Sequence, residues 1–307
     1  MRNAFAEEMT ALAKEQSRLV LLSGDIGNKL FDNFKAVATN RFYNCGVAEA
    51  NMIGVAAGLA LSGLRPVVYT ITPFTTTRCY EQIRVDVCYH EAPVIIVGTG
   101  SGLSYADLGP THHSLEDLAI LRALPGMRVL APCDRTELRL ALRAALAEAC
   151  PTYIRIGKKG EPDIHTAPPA FALGRAIVVR PGSDVVLIVA GTIMPVVLVA
   201  AERLAARGIS AEVASYHTVK PLDGDYLAAA TRRFKLIATV EEHGLIGGLG
   251  SAVAEWRADA GAPGRLLRFG TPDEFMHEVG DQDYARSKYG LDAEVIATRV
   301  AAACVGN

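Results

Sequence analysis

Short apolar runs rich in β-branched residues recur along this chain, and longer alanine-rich segments with helical periodicity lie between them. The runs fall at residues 19–23, 67–70, 94–99, 128–131, 185–190, 210–214 and 236–241. They are apolar nearly throughout rather than alternating, the pattern of parallel strands covered on both faces. The helical segments fall at 3–16, 49–62, 77–89, 116–123, 136–149 and 194–207. Alternation of this regularity predicts an α/β fold of doubly wound type. It is interrupted once, by Gly157-Lys158-Lys159-Gly160-Glu161-Pro162 and then Pro168-Pro169. A Gly/Lys/Pro-rich stretch without periodicity reads as a connection between domains. The expected division is therefore 1–160 and 172–307, two doubly wound domains.

Composition narrows the function classes. Half of the 307 residues are hydrophobic, enough to fill two cores and to exclude wholesale disorder. With 31 Lys and Arg against 33 Asp and Glu, the net charge is −2, and no basic surface for nucleic acid or anionic membrane is expected. No apolar run is long enough to span a bilayer, and residues 1–8 have no apolar signal core. The six cysteines form no C-x-x-C pair and fit no zinc spacing. A reduced, cytoplasmic protein with buried thiols is the expectation. A phosphate loop and a strand-embedded G-x-G-x-x-G with a distal acid are both missing. Gly244-Leu245-Ile246-Gly247-Gly248-Leu249-Gly250 follows a strand and could open a helix toward an anion. A tight turn with close helix packing is the favoured reading.

Two segments carry chemistry. In Arg41 to Ala60, Glu49 stands where a strand gives way to a helix with Gly and Ala at its packing positions, so a backbone or a flat ligand can come close. A carboxylate there is either a tuned proton-handling group or an ordinary helix-start acid. In Gly102 to Gly126, a Gly109-Pro110 turn presents His112 and His113 before an amphipathic helix that Thr111 or Ser114 could cap. Imidazoles at such a junction suit proton transfer near neutral pH or a purely structural loop, and a metal pair is not expected.

Together these segments resemble the transketolase family of thiamine diphosphate enzymes, over essentially the whole chain. Gly46-Val47-Ala48-Glu49-Ala50-Asn51-Met52 resembles the family's glutamate motif, and Gly109-Pro110-Thr111-His112 its G-P-T-H signature. Glu241-Glu242-His243-Gly244 and the glycines after it match the second domain. The resemblance implies a pyrimidine-binding domain followed by a transketolase C-terminal domain. It implies that Glu49 hydrogen-bonds N1′ of the cofactor's aminopyrimidine, favouring the tautomer that takes the proton from the thiazolium C2. His112 takes the role of handling protons at substrate oxygens. Thr70 to Arg84 matches the ring-stacking segment, with Phe74 the stacking ring and Arg78 and Tyr80 further cofactor contacts, although one residue is inserted between Phe74 and Arg78. Asp25 falls at a cofactor-proximal position. Lys158 and Arg2 fall where relatives grip a sugar phosphate, Lys158 replacing an arginine and so lacking the bidentate fork. His113 is either a substrate contact or a loop cap.

Departures bear on the substrate. Gly100 replaces a substrate-binding histidine, and Leu108 stands where many relatives have a hydroxyl-reading aspartate, which redirects specificity. The family's G-D-G…Asn pattern for Mg²⁺ or Ca²⁺ is absent; the nearest string, Gly24-Asp25-Ile26-Gly27-Asn28, is not that motif. No metal ligand is therefore expected in this chain. The resemblance implies an N-terminal diphosphate-binding subunit as partner, two copies of each chain, and ketol transfer between sugars or sugar phosphates. A decarboxylating deoxyxylulose-phosphate synthase chemistry and a non-catalytic scaffold are the alternatives.

Overall fold

The computed structural model describes residues 1–27, 29–158 and 160–305. Asn28, Lys159 of the expected connection and the terminal residues 306–307 lie outside it. The strands are β1 (Leu19–Ser23), β2 (Phe42–Asn44), β3 (Arg65–Ile71), β4 (Ile95–Thr99), β5 (Arg128–Leu130), β6 (Thr152–Ile156), β7 (Ile177–Arg180), β8 (Val185–Ala190), β9 (Ala211–Ser215), β10 (Thr218–Lys220), β11 (Leu236–Gly244) and β12 (Arg265–Thr271). They form a seven-stranded sheet in the order β10-β5-β6-β4-β3-β1-β2 and a five-stranded sheet in the order β12-β11-β8-β9-β7. Pairing is parallel except for β10 on β5 and β7 on β9. Both sheets carry helices between successive parallel strands, the α/β architecture that the alternation predicts.

The apolar runs became buried strands because both faces are covered. All five residues of β1 and all six of β8 are buried. The pattern missed β2 and β10, whose Phe-Tyr-Asn and Thr-Val-Lys sequences carry polar residues and form no apolar run. It also missed β6, whose Thr-Tyr-Ile-Arg-Ile sequence carries a buried arginine, β7, whose three apolar residues end at Arg180, and β12, whose apolar residues are broken by Arg268. The helix expected at 77–89 is divided. A single turn at Thr72–Thr75 ends at Thr76, whose φ of −114° and ψ of −80° are not helical. A short turn at Tyr80–Gln82 then opens into a wider π-helical stretch at Ile83–Tyr89. Neither Thr111 nor Ser114 caps the helix Asp117–Arg122, which follows Glu116 without a side-chain cap. Ser114 instead pairs through its backbone with Gly102.

One apolar cluster is shared by the two sheets. Val20, Leu22, Val68 and Ile96 belong to the same apolar cluster as Val186, Ile188 and Ile237, with Leu118, Leu121 and Leu249 among its members. β10 arrives from far along the chain to edge the first sheet, with Thr218 opposite Leu130. Its Lys220 ammonium donates to the carbonyls of Arg122 (2.9 Å) and Leu124 (2.6 Å), satisfying the exposed end of a helix.

Beneath the Gly109–His113 loop lies a buried polar lock. Arg155, only 3% exposed, pairs with Asp117 at 3.2 Å and donates to the carbonyls of Ser114 (3.2 Å) and Glu242 (3.1 Å). Tyr153 donates to the same Asp117 carboxylate at 2.6 Å. Glu242 in turn accepts from Leu103 N and Gln282 and pairs with Arg286. Removing one partner of a buried pair strands the other charge, at roughly 3–5 kcal/mol. Arg155→Leu is therefore expected to lose about that much stability in chemical denaturation, whereas a loss below about 1 kcal/mol, the scale of an exposed pair, would contradict the lock.

Candidate functional site

Loops at the carboxyl ends of parallel strands are where open α/β sheets bind ligands. Asp25 follows β1, Glu49 follows β2, Phe74 and Arg78 follow β3, Gly100 to His113 follow β4, and Lys158 follows β6. The helix Arg2–Glu15 leads into β1, so its first turn returns to the same edge.

Glu49 opens the helix Glu49–Leu61 and is only 3% exposed. Its carboxylate gains from the helix N-terminus and accepts from Arg78 at 2.7 Å. The Arg78 guanidinium also lies 4.2 Å over the Phe74 ring, a cation–π contact. A Cβ on Gly24 would lie 3.0 Å from Thr70 Oγ1 and 3.4 Å from Glu49 Cγ, so bare backbone, hydroxyl and carboxylate converge there. Thr70 Oγ1 is buried with no hydrogen-bond partner, and so is Thr75 Oγ1. Buried polar atoms are normally satisfied, so these orphans mark a place for a ligand's polar edge. A flat heterocycle bearing donors and acceptors, such as an aminopyrimidine, fits Glu49, Thr70 and the Phe74 face. Behind them, burial pushes the Cys79 thiol up to about 12, with the Glu49 charge adding to it.

The second cluster adjoins the first. Phe74 meets His112 edge-on, with ring centroids 5.2 Å apart. Thr111 Oγ1 lies 2.9 Å from His112 Nδ1, a hydrogen bond that holds the ring in place and leaves Nε2 outside this contact. Tyr105 packs 5.8 Å from His112 on the other side. Lys158 lies 4.2 Å over the Tyr105 ring and pairs with Asp107 at 3.2 Å. Arg2 donates to Tyr69 at 3.1 Å. Burial raises the Tyr105 phenol, the Arg2 charge opposes the rise and Asp107 adds to it. Glu49, Arg78, Phe74, His112, Tyr105 and Lys158 thus form one continuous contact chain, and the Arg2 charge acts on it at Tyr105.

Tyr105 escaped the sequence reading, although a signal was present in Gly100. That glycine has a φ of +72°, and a Cβ on it would lie 1.9 Å from Tyr105 Cε2. The tyrosine ring therefore occupies the space that a side chain at position 100 would need. The missing side chain and the new ring are one feature, visible only when both are in place.

Three expected residues lie apart from this chain of contacts. Asp25 is exposed, adopts a φ of +51° and accepts from Asn44 at 2.9 Å. Tyr80 turns toward the helix Asp117–Arg122, where its hydroxyl donates to the Ile120 carbonyl at 3.0 Å. His113 is buried and lines a separate cavity of about 370 Å³, together with Pro110, Glu116, Thr271 and Phe275. Burial lowers its basicity against a hydrogen bond with the Ala106 backbone, and its Nε2 has no partner. The glycine-rich turn does open a helix, Leu249–Asp259, but its anion is internal. Glu241 accepts from Leu249 N and Gly250 N, both at 2.7 Å. Close packing holds there too, because a Cβ on Gly247 would lie 2.5 Å from Ala119 Cβ.

The model of the transketolase pyrimidine-binding domain matches residues 1–161, and that of the transketolase C-terminal domain matches residues 174–296. The chain belongs to the transketolase family. It is 38% identical over 297 residues to the 6-deoxy-6-sulfo-D-fructose transketolase subunit SqwH of Clostridium sp. (strain MSTE9), covering 96% of this chain and 92% of that one. It is 37% identical over 257 residues to an apulose-4-phosphate transketolase subunit of Actinobacillus succinogenes, covering 84% and 83%. A solved structure titled as a split-gene transketolase, inactive β4 tetramer, superposes with a TM-score of 0.89 at 34% identity, covering 99% of this chain and 97% of that one. No helix among the described residues is long and apolar enough to cross a membrane.

For the Gly100–Tyr105 pair, a double-mutant cycle is diagnostic. Gly100→Ala is expected to cost about 1–3 kcal/mol from overpacking, on top of roughly 1–2 kcal/mol for a left-handed alanine. In a Tyr105→Ala background the overpacking part should vanish in thermal unfolding. Full additivity would show that the ring does not fill that space.

Proposed function

We propose that this chain is the aminopyrimidine-binding and C-terminal subunit of a split, thiamine diphosphate-dependent transketolase. In this reading residues 1–160 are the pyrimidine-binding domain and 172–307 the C-terminal domain. The carrying observation is the buried Glu49 carboxylate beside an unsatisfied Thr70 hydroxyl, a bare Gly24 backbone and the Phe74 ring. Thiamine diphosphate supplies the carbanion-stabilising electron sink that amino-acid side chains lack.

The chain's own residues have separate tasks. Glu49 holds a ring nitrogen of the aminopyrimidine in its protonated form and so selects the tautomer. Phe74 and Arg78 form the wall of the ring slot. His112, fixed by Thr111, accepts and returns a proton at the substrate oxygens. Lys158 and Arg2 attract an anionic end of a sugar phosphate, and Asp107 tempers Lys158 by pairing with it. Tyr105 replaces the family's histidine as a hydroxyl reader.

In this reading a separate N-terminal subunit holds the diphosphate through Mg²⁺ or Ca²⁺, and two of each chain assemble. Exposed apolar side chains in the turn before Glu49 and along the helix it opens support such a contact: Val47 is 76%, Val55 43% and Leu61 61% exposed. Large exposed apolar groups in one region mark interfaces. The cytoplasm is the expected compartment, and the six free cysteines are consistent with it.

With the diphosphate-binding partner present, Glu49→Gln is expected to lower two-carbon ketol transfer by roughly 10²–10³-fold, the scale of one preorganised hydrogen-bond partner. Its circular dichroism and melting point should stay near wild type. Unchanged turnover would refute the role of Glu49 and favour the scaffold reading. Release of CO₂ from pyruvate, with no ketol transfer, would move the reaction to the decarboxylating class.

A further inference from the structure

Away from the Glu49 edge cluster, three metal-ligating side chains converge in the interior. After β5 the chain passes through Cys133 and Asp134 into the helix Arg135–Glu148. Cys133 and Glu137 are four residues apart across the helix start, and they are 1% and 0% exposed. Asp134 organises the rest. Its Oδ1 accepts from Glu137 N at 2.8 Å, and its Oδ2 accepts from the backbones of Ile164 and His165, both at 2.9 Å. The segment joining the two sheets is thereby folded back onto the helix. His165 Nε2 arrives 2.9 Å from Glu137 Oε1 and 4.0 Å from Cys133 Sγ. The three ligand atoms lie within 4.8 Å of one another. Glu137 Oε2 is occupied separately, by Cys133 N at 2.8 Å and by the Ser215 hydroxyl at 3.0 Å.

We propose that Cys133, Glu137 and His165 form a binding site for a zinc-class divalent transition metal that staples the connecting segment to the first sheet. The donor set is the first argument. One sulfur, one imidazole nitrogen and one carboxylate oxygen suit zinc and its neighbours, whereas Mg²⁺ and Ca²⁺ take oxygen alone. The separations are the second. Bonds of about 2.3 Å to sulfur and about 2.0 Å to nitrogen and oxygen place a tetrahedral sulfur–nitrogen pair roughly 3.5 Å apart and a nitrogen–oxygen pair roughly 3.3 Å apart, each within about half an ångström of the 4.0 Å and 2.9 Å found for His165 Nε2 with Cys133 Sγ and Glu137 Oε1.

Burial, with Glu137 and Asp134 nearby, pushes the Cys133 thiol well up, so without metal it is an S–H and not a free thiolate nucleophile. On binding, the Cys133 S–H bond breaks and its proton goes to solvent, His165 binds through the neutral imidazole, and bonds form from sulfur, Nε2 and Oε1 to the metal, with no change of oxidation state. The fourth position falls to water or to the Ser215 hydroxyl at the end of β9, which would tie in the second sheet. The spacing of the cysteines alone could not reveal this cluster, because His165 is brought in by Asp134.

The test is titration of the chelator-treated full chain with Co²⁺, followed by optical spectroscopy. One equivalent is expected to give a thiolate-to-cobalt charge-transfer band, and Zn²⁺ should displace it and raise the melting point. Cys133→Ser should abolish the band and Cys150→Ser should keep it. His165→Gln should weaken binding by at least roughly tenfold while leaving the circular dichroism unchanged. A wild-type protein with no sulfur charge-transfer band, or a band that survives Cys133→Ser, would overturn the proposal.

Discussion

The Arg155 guanidinium determines how the two halves of this molecule meet. It is buried in the middle of the fold, paired with Asp117 and bonded to the carbonyls of Ser114 and Glu242. One planar group thereby joins the end of the Gly109–His113 loop, the helix after it and a strand of the second sheet. Its planar fork suits several directed bonds at once, which a lysine could not supply. The shared apolar core and the β10 edge strand reinforce this contact. The loop that presents His112 therefore rests on a base built by both sheets.

The convergence of chemistry on one edge follows from topology. Parallel strands point their carboxyl ends the same way, so the loops after β1, β2, β3, β4 and β6 gather side chains distant in sequence. Glycines then let the groups approach. Gly24 lets Thr70 and Glu49 approach the backbone, and Gly100 leaves room for Tyr105. In the isolated chain Arg78 spans Glu49 and Phe74, so the carboxylate has a charged partner although it is almost fully buried.

The fold class was legible because buried parallel strands leave unbroken apolar runs such as 185–190. β2 and β10, which end on Asn44 and Lys220 after two residues, and β6 with Arg155 inside it, leave no such trace. Glu49, Phe74, Arg78, His112, Lys158 and Arg2 were legible as motif positions, and the structure brings all six to one edge. Directions were harder to read. His112 and His113 are adjacent, yet one meets Phe74 and the other a separate cavity, because an irregular loop has no period from which to infer facing. The family resemblance offered Tyr80 as a cofactor contact, whereas the break at Thr76 and the π-helical stretch after it turn its hydroxyl to Ile120. Tyr105 depends on an absent side chain at position 100, and His165 on two backbone bonds to Asp134. Neither relation exists until the chain is folded.

Under the proposed function this chain supplies only the aminopyrimidine half of a thiamine diphosphate site. Calorimetric titration of thiamine diphosphate with Mg²⁺ into this chain, into a diphosphate-binding partner subunit and into their mixture tests it most directly. Tight binding is expected only in the mixture, with one cofactor per pair of chains. Equally tight binding by this chain alone would contradict it.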